Sequence, residues 1–168
     1  DGVNKRYGRK FLEVVCKDQL EVNGLVLHEN LHISLRQMIH NRDLFMEDRK
    51  LANKAADFVV NGIIMNLKDK TLAKLPEGGC YDPRFDNMNM REVYRILKEE
   101  EEEEGGGGEP EEGGDGNSVS DGDDYQFDEH DVDNNMTPED MRKANEMIDR
   151  ALREGALLAG RLGIDIPR

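Results

Sequence analysis

Apolar residues along the chain recur with helical rather than alternating spacing. Leu20, Leu27, Leu31 and Leu35 return about every third or fourth position, and Val26, Ile33 and Met38 widen the same face. This pattern predicts a helix over 18–40. Asp18 and Glu21 stand at its start with capping-box spacing, where an N-cap oxygen and a side chain three residues on satisfy free amide donors. Gly24 costs such a helix about 1 kcal/mol relative to alanine, so close packing is expected there. Leu51, Ala55, Phe58, Val59, Ile63 and Leu67 predict a second helix over 47–67, and small residues at Ala52, Ala55 and Ala56 suit close approach to the first.

The stretch LPEGGCYDPRFDNMN then carries the Pro, Gly and Asp punctuation of a loop. Asn89 and Glu92 cap a short helix with Val93, Ile96 and Leu97 facing inward. Six glutamates from Glu99, followed by four glycines, are expected to end it. Thr137 as N-cap, Pro138 and Asp140 open a last helix, with Met141, Ala144, Ile148, Ala151 and Leu152 on one face and Gly155 as its stop. Residues 1–9 are polar and read as a loop or a short hairpin arm. The fold class is therefore mainly α, or α+β if an N-terminal strand or hairpin forms.

Charge divides the chain further. It has 23 basic and 37 acidic residues, a net of −14, yet 17 of the acidic residues and eight glycines fall within the 35 positions from Glu99 to Asp133. The rest holds 23 basic and 20 acidic side chains, a net of +3. The expected layout is a core at 1–98, a solvated, disordered acidic insert at 99–135, and a C-terminal helix with an apolar tail packing on the core at 136–168. A body so close to neutral presents no basic nucleic-acid-binding face. No run of about 18 apolar residues exists to span a membrane. Two cysteines, Cys16 and Cys80, do not make a disulfide scaffold, and a reducing cytoplasm is the simpler setting. The first residue is Asp1 rather than Met, which points to a fragment of a longer protein.

The sharpest chemical signal is His28-Glu29-Asn30-Leu31-His32, an H-E-x-x-H pattern inside the first helix. Four residues on a helix are about 400°, so both imidazoles project from one face a turn apart and can reach one zinc ion. Glu29 lies about 100° round, placed to take a proton as general base. The flanks GLVL and ISL are apolar, and polar groups on a buried face need partners that a metal supplies. Zinc needs a third protein ligand. The second helix offers Asn53, Asp57 and Asn61 at i, i+4 and i+8, and a carboxylate amid alanines is costly unless paired or metal-bound. Asp57 is the expected third ligand; its alternative role is to hold a ligating histidine by the other ring nitrogen. Asn53 and Asn61 read as orienting, substrate-contacting or helix-packing amides. Tyr81 and Tyr94 are candidate oxyanion donors, although Tyr94 on a helix face suits the core. His40 falls off the metal face, His130 lies in the acidic insert, and Cys80 is a lone loop cysteine. Leu35 and Met38 stand where a metzincin would carry its glycine and third histidine.

These residues resemble a known family. LVLHENLHISLRQ, LANKAADFVVN and LPEGGCYDPRFDNMNMREVYRIL are similar to the zinc metallopeptidase domain of bacteria and phages, often followed by a von Willebrand factor A-like domain. Asn53, Ala55, Asp57 and Asn61 fall on its second motif, and Leu75, Pro76, Gly78, Tyr94 and Leu97 on its third. The resemblance implies a compact zincin-like fold, zinc at His28, His32 and Asp57, and Glu29 as base. A zinc-dependent peptidase acting on a peptide or protein is the expected function. The rival is a non-catalytic, zinc-stabilised structural or interaction module of a phage or bacterial assembly.

Overall fold

The four long helices each open on a side-chain acceptor. In the computed structural model, which describes residues 16–104 and 137–161, Asp18 accepts from the Glu21 amide at 2.9 Å and starts α1, Gln19–Ser34. Two short helices follow, α2 at Gln37–His40 and α3 at Arg42–Glu47. Asp48 then caps α4, Arg49–Met65, through the Leu51 amide at 2.9 Å. Asn89 and Glu92 form a closed capping box at the start of α5, Met90–Glu104: the Glu92 amide donates to Asn89 Oδ1 and the Asn89 amide to Glu92 Oε2. Thr137 and Asp140 do the same for α6, Pro138–Arg161. Between α4 and α5 the loop carries one 3-10 turn, Pro83–Phe85, with Asp82 as its cap. No strand occurs among the described residues, so the fold is mainly α; the hairpin expected at 1–9 lies outside them.

Several expectations need correction. The helix expected over 18–40 breaks after Ser34, whose hydroxyl bonds back to the Asn30 carbonyl at 2.7 Å. Arg36 then takes a left-handed conformation, φ 53°. The break turns the chain so that Gln37, Asn41, Leu44 and Phe45 enter the interior. The glutamate tract does not end α5 at Glu99. Glutamate is a good helix former, the helix is anchored by buried Val93 and Leu97, and Arg84 pairs with Glu100 at 2.7 Å. Gly155 does not stop α6, which runs to Arg161, since one glycine costs only about 1 kcal/mol. Leu152, Leu157 and Leu158 on that later part are exposed, whereas the tail was expected to pack on the body. The rest of that tail and the insert from 105 lie outside the described residues.

The core is built from α3, α4, α5 and the 3-10 turn. Leu44, Phe45, Leu51, Ala52, Ala55, Ala56, Phe85, Met90, Val93, Tyr94 and Leu97 form one buried cluster. Ala52, Ala55 and Ala56 are fully covered, so small residues admit a close neighbour, and α4 packs most extensively on α5. The buried face of α1 is not its leucine stripe. Val26 and Leu35 are exposed and Leu27 and Leu31 half-buried, whereas Glu21, Gly24, Leu25, His28, Glu29 and His32 are buried. A polar face turned inward requires partners, and they come from α2, α4 and the loop after α4.

That loop is strapped across the start of α1. The Lys74 amide donates to the Leu20 carbonyl at 3.0 Å, and Asn23 Nδ2 donates to the Leu72 carbonyl at 3.0 Å. Gly24 is required here because a Cβ would meet the Lys74 carbonyl oxygen at 1.9 Å. Glu21 does not close a box onto Asp18; its carboxylate accepts from the Lys17 amide at 2.6 Å and from Lys74 Nζ at 2.8 Å. The Lys74 ammonium, then the Lys17 amide, hold the Glu21 carboxyl below its ordinary value of 4.5. A depressed carboxylate contributes stability that is present above pH 4.5 and is lost as pH falls through its folded value. Urea unfolding of Glu21→Gln should therefore show lower stability near pH 7 and a flatter loss between neutral and acid pH than the wild-type chain. Parallel pH curves for the two chains would remove Glu21 from the acid response.

Candidate metal centre

α1 places Glu21, Leu25, His28 and His32 along one inward line, a helical repeat of three or four. α4 runs beside α1 and presents Asn53, Asp57 and Asn61 at the same repeat. His28 is 1%, His32 2% and Asp57 1% exposed. Their facing atoms converge: His28 Nε2 lies 2.9 Å from His32 Nε2, and Asp57 Oδ1 lies 3.6 Å and 3.3 Å from the two nitrogens.

The far side of each ring decides what this cluster is. His28 Nδ1 is 2.8 Å from Asn61 Oδ1, and the Asn61 amide cannot be reversed because its Nδ2 donates to the Cys80 carbonyl at 2.7 Å. His32 Nδ1 is 2.5 Å from Gln37 Oε1, while Gln37 Nε2 faces the Ala56 carbonyl at 3.4 Å. An amide oxygen only accepts, so each Nδ1 carries the proton and each Nε2 of a neutral ring presents its lone pair. Two lone pairs and a carboxylate oxygen thus meet in a buried space, an electron-rich set that a cation satisfies. The three donors all lie within 4.8 Å of one another. A tetrahedral ion with ligands at about 2.0–2.2 Å separates its donor atoms by about 3.3–3.5 Å, close to the distances here. The donor set therefore fits a metal ion, and the ring-orienting amides are the usual companions of metal-bound histidines.

A family model described as "Putative metallopeptidase domain" matches residues 1–163. The chain belongs to this metallopeptidase domain family. No curated protein and no solved structure matches the chain.

Within this metallopeptidase domain the remaining candidates take distinct places. Glu29 follows His28 on α1 and is buried, 8% exposed, outside the three-donor cluster. Asn61 contacts the His28 ring through its Oδ1. Asn53 is 1% exposed, one turn before Asp57, and its Oδ1 has no hydrogen-bond partner in the protein. Tyr81 is half-buried, and its hydroxyl donates to Asp86 Oδ2 at 3.1 Å; burial first, then Asp86, pushes the phenol above 10.0. Cys80 supplies its carbonyl to Asn61 and keeps its thiol 3.6 Å from the same amide nitrogen, outside the three-donor cluster. Neither Cys16 nor Cys80 is in a disulfide among the described residues. His40 is exposed, as expected from its angle, and His130 lies outside the described residues.

Tyr94 belongs to the core. It is 4% exposed and its hydroxyl has no protein partner. Burial, then Glu47 and Asp48, raise its pKa above 10.0. Removing an unsatisfied buried hydroxyl relieves a desolvation cost, so Tyr94→Phe should keep or raise stability by up to about 1 kcal/mol. Thermal unfolding checks this, and a loss of more than that would reveal a partner for the hydroxyl.

Gln37 is the residue that sequence reasoning missed. On a continuous helix it would lie about 140° round from His32, on another face. Only the left-handed turn at Arg36 brings it back, and nothing in the sequence there, no glycine or asparagine at 36, signals that turn.

Proposed function

We propose that the chain is a zinc-dependent peptidase that cleaves peptide bonds in a peptide or protein substrate, with His28, His32 and Asp57 holding the ion and Glu29 as general base. The observation that supports it most is the tautomer argument: two imidazole lone pairs and a carboxylate converge in a buried space. Zinc suits two imidazole nitrogens and one carboxylate oxygen, and three protein donors are the complement of a catalytic rather than a closed structural site. When bound, the ion polarises a substrate carbonyl and lowers the pKa of a water toward neutrality.

The chain's own residues supply the rest. Asn61 and Gln37 hold both rings at Nδ1, which turns both Nε2 atoms toward Asp57. Glu29, next to His28 in the chain and buried on α1, takes the proton from the attacking water and returns it to the leaving amine. Burial around His28, His32 and Asp57 excludes bulk water and strengthens each electrostatic contact. A von Willebrand factor A-like domain is the companion that the family resemblance suggests.

The rival reading is a zinc-stabilised, non-catalytic module. It would require a fourth protein ligand, so metal-edge absorption spectroscopy on the zinc-loaded chain separates the two. Three protein donors plus a light oxygen favour the peptidase, and four protein donors the module. Cleavage of a peptide mixture by wild-type chain and Glu29→Gln then tests the reaction itself.

A further inference from the structure

We infer that Gln37 is a positioning residue: the left-handed turn at Arg36 delivers its amide to His32 and so sets the tautomer and ring orientation with which His32 faces Asp57. The geometry stands on its own; its consequence for metal affinity rests on the peptidase reading above.

The turn brings Gln37 into the interior together with Asn41, Leu44 and Phe45. α1 stops at Ser34, and α2 begins at Gln37 itself, with Arg36 between them at φ 53°. A non-glycine residue there is uncommon, because its Cβ crowds the following carbonyl. Three backbone bonds hold it: the Arg36 amide donates to the Ile33 carbonyl at 2.9 Å, and the Arg36 carbonyl accepts from the Ile39 and His40 amides at 3.1 and 2.9 Å. The Arg36 guanidinium pairs with Asp149 of α6, so the helix beyond the acidic insert braces the turn. At the site itself the turn buries one neutral amide. Gln37 is 3% exposed, with Oε1 2.5 Å from His32 Nδ1 and Nε2 facing the carbonyl of Ala56, the residue before Asp57.

That placement links two elements that carry the donors. The Gln37 amide spans from the ring of His32 on α1 to the backbone of α4 beside Asp57, so it fixes the ring relative to the carboxylate as well as its protonation. His28 has a matching arrangement, with Asn61 between its ring and the Cys80 carbonyl. Both braces are neutral amides.

The test uses the full chain, zinc-free and zinc-loaded, as wild type, Gln37→Leu and Gln37→Glu. Nitrogen-15 NMR of the imidazoles should place the His32 proton on Nδ1 in the wild type. In Gln37→Leu the Nε2-protonated form of His32 should grow while His28 is unchanged. Chelator competition should show zinc held about 10–100-fold more weakly by Gln37→Leu, with Gln37→Glu, which keeps an acceptor, within about threefold of wild type. A His32 tautomer unaffected in Gln37→Leu overturns the inference. So does an equal loss of affinity in both variants, which would assign Gln37 to packing alone. If the tautomer switches in Gln37→Leu but the wild-type chain binds no zinc, the inference stands and the metal reading falls.

Discussion

Purified wild-type chain should carry about one zinc ion, and His28→Ala, His32→Ala and Asp57→Asn should each lose it on desalting. Structural zinc sites bind with about 10–16 kcal/mol over four ligands, so one ligand accounts for about 3 kcal/mol, or roughly a hundredfold or more in affinity. Stability reports the same loss independently. Zinc at about 100 times its dissociation constant stabilises the folded chain by about 2.7 kcal/mol, and the three variants should lose this increment. Asp57→Asn carries extra information, because Asp57 is 1% exposed and a buried carboxylate is expensive to desolvate. Its metal-free stability should match or exceed that of the wild type, even as its response to zinc disappears. Asp57→Asn binding zinc as tightly as wild type would exclude this carboxylate as a ligand and return it to the role of orienting a histidine.

Glu29→Gln should separate binding from chemistry. The substitution keeps the size and shape of a side chain outside the three-donor cluster, so zinc content should stay near that of the wild type. A positioned general base contributes about 10²–10⁴-fold, so cleavage of a peptide mixture, followed by mass spectrometry, should fall by that factor. The pairing of the two measurements matters. Lost cleavage with retained zinc assigns Glu29 to the reaction; lost zinc would make it part of the binding site. Unchanged cleavage would sink the general-base assignment and favour the structural-module reading.

Pattern and spacing alone reached the helical class, the four long helices, their caps at Asp18, Asn89 and Thr137, and the close packing at Gly24. These properties are local: capping, periodicity and glycine each act within a turn or two of chain, which is the range over which sequence neighbours are spatial neighbours. The H-E-x-x-H spacing and the Asn53, Asp57, Asn61 repeat were legible for the same reason, since each lies along one helix.

Tertiary structure decided the rest. The leucine stripe of α1 was the natural candidate for its inner face, yet the polar line of Glu21, His28 and His32 is what the fold buries, because α4 and the strapped loop bring Lys74, Asp57, Asn61 and the Cys80 carbonyl opposite it. Hydrophobic periodicity cannot foresee this, since burial of polar groups depends on partners distant in sequence. Gln37 was hidden more deeply. Its arrival at His32 requires a left-handed residue in the middle of a good helical sequence, where Arg36 also pairs with Asp149, over a hundred residues away. The sequence by itself thus determined the four long helices and which side chains on them could bind a cation. Only the packed chain determined that two of those helices face each other with their polar sides inward, because the contacts that make this arrangement favourable exist between segments and not within them.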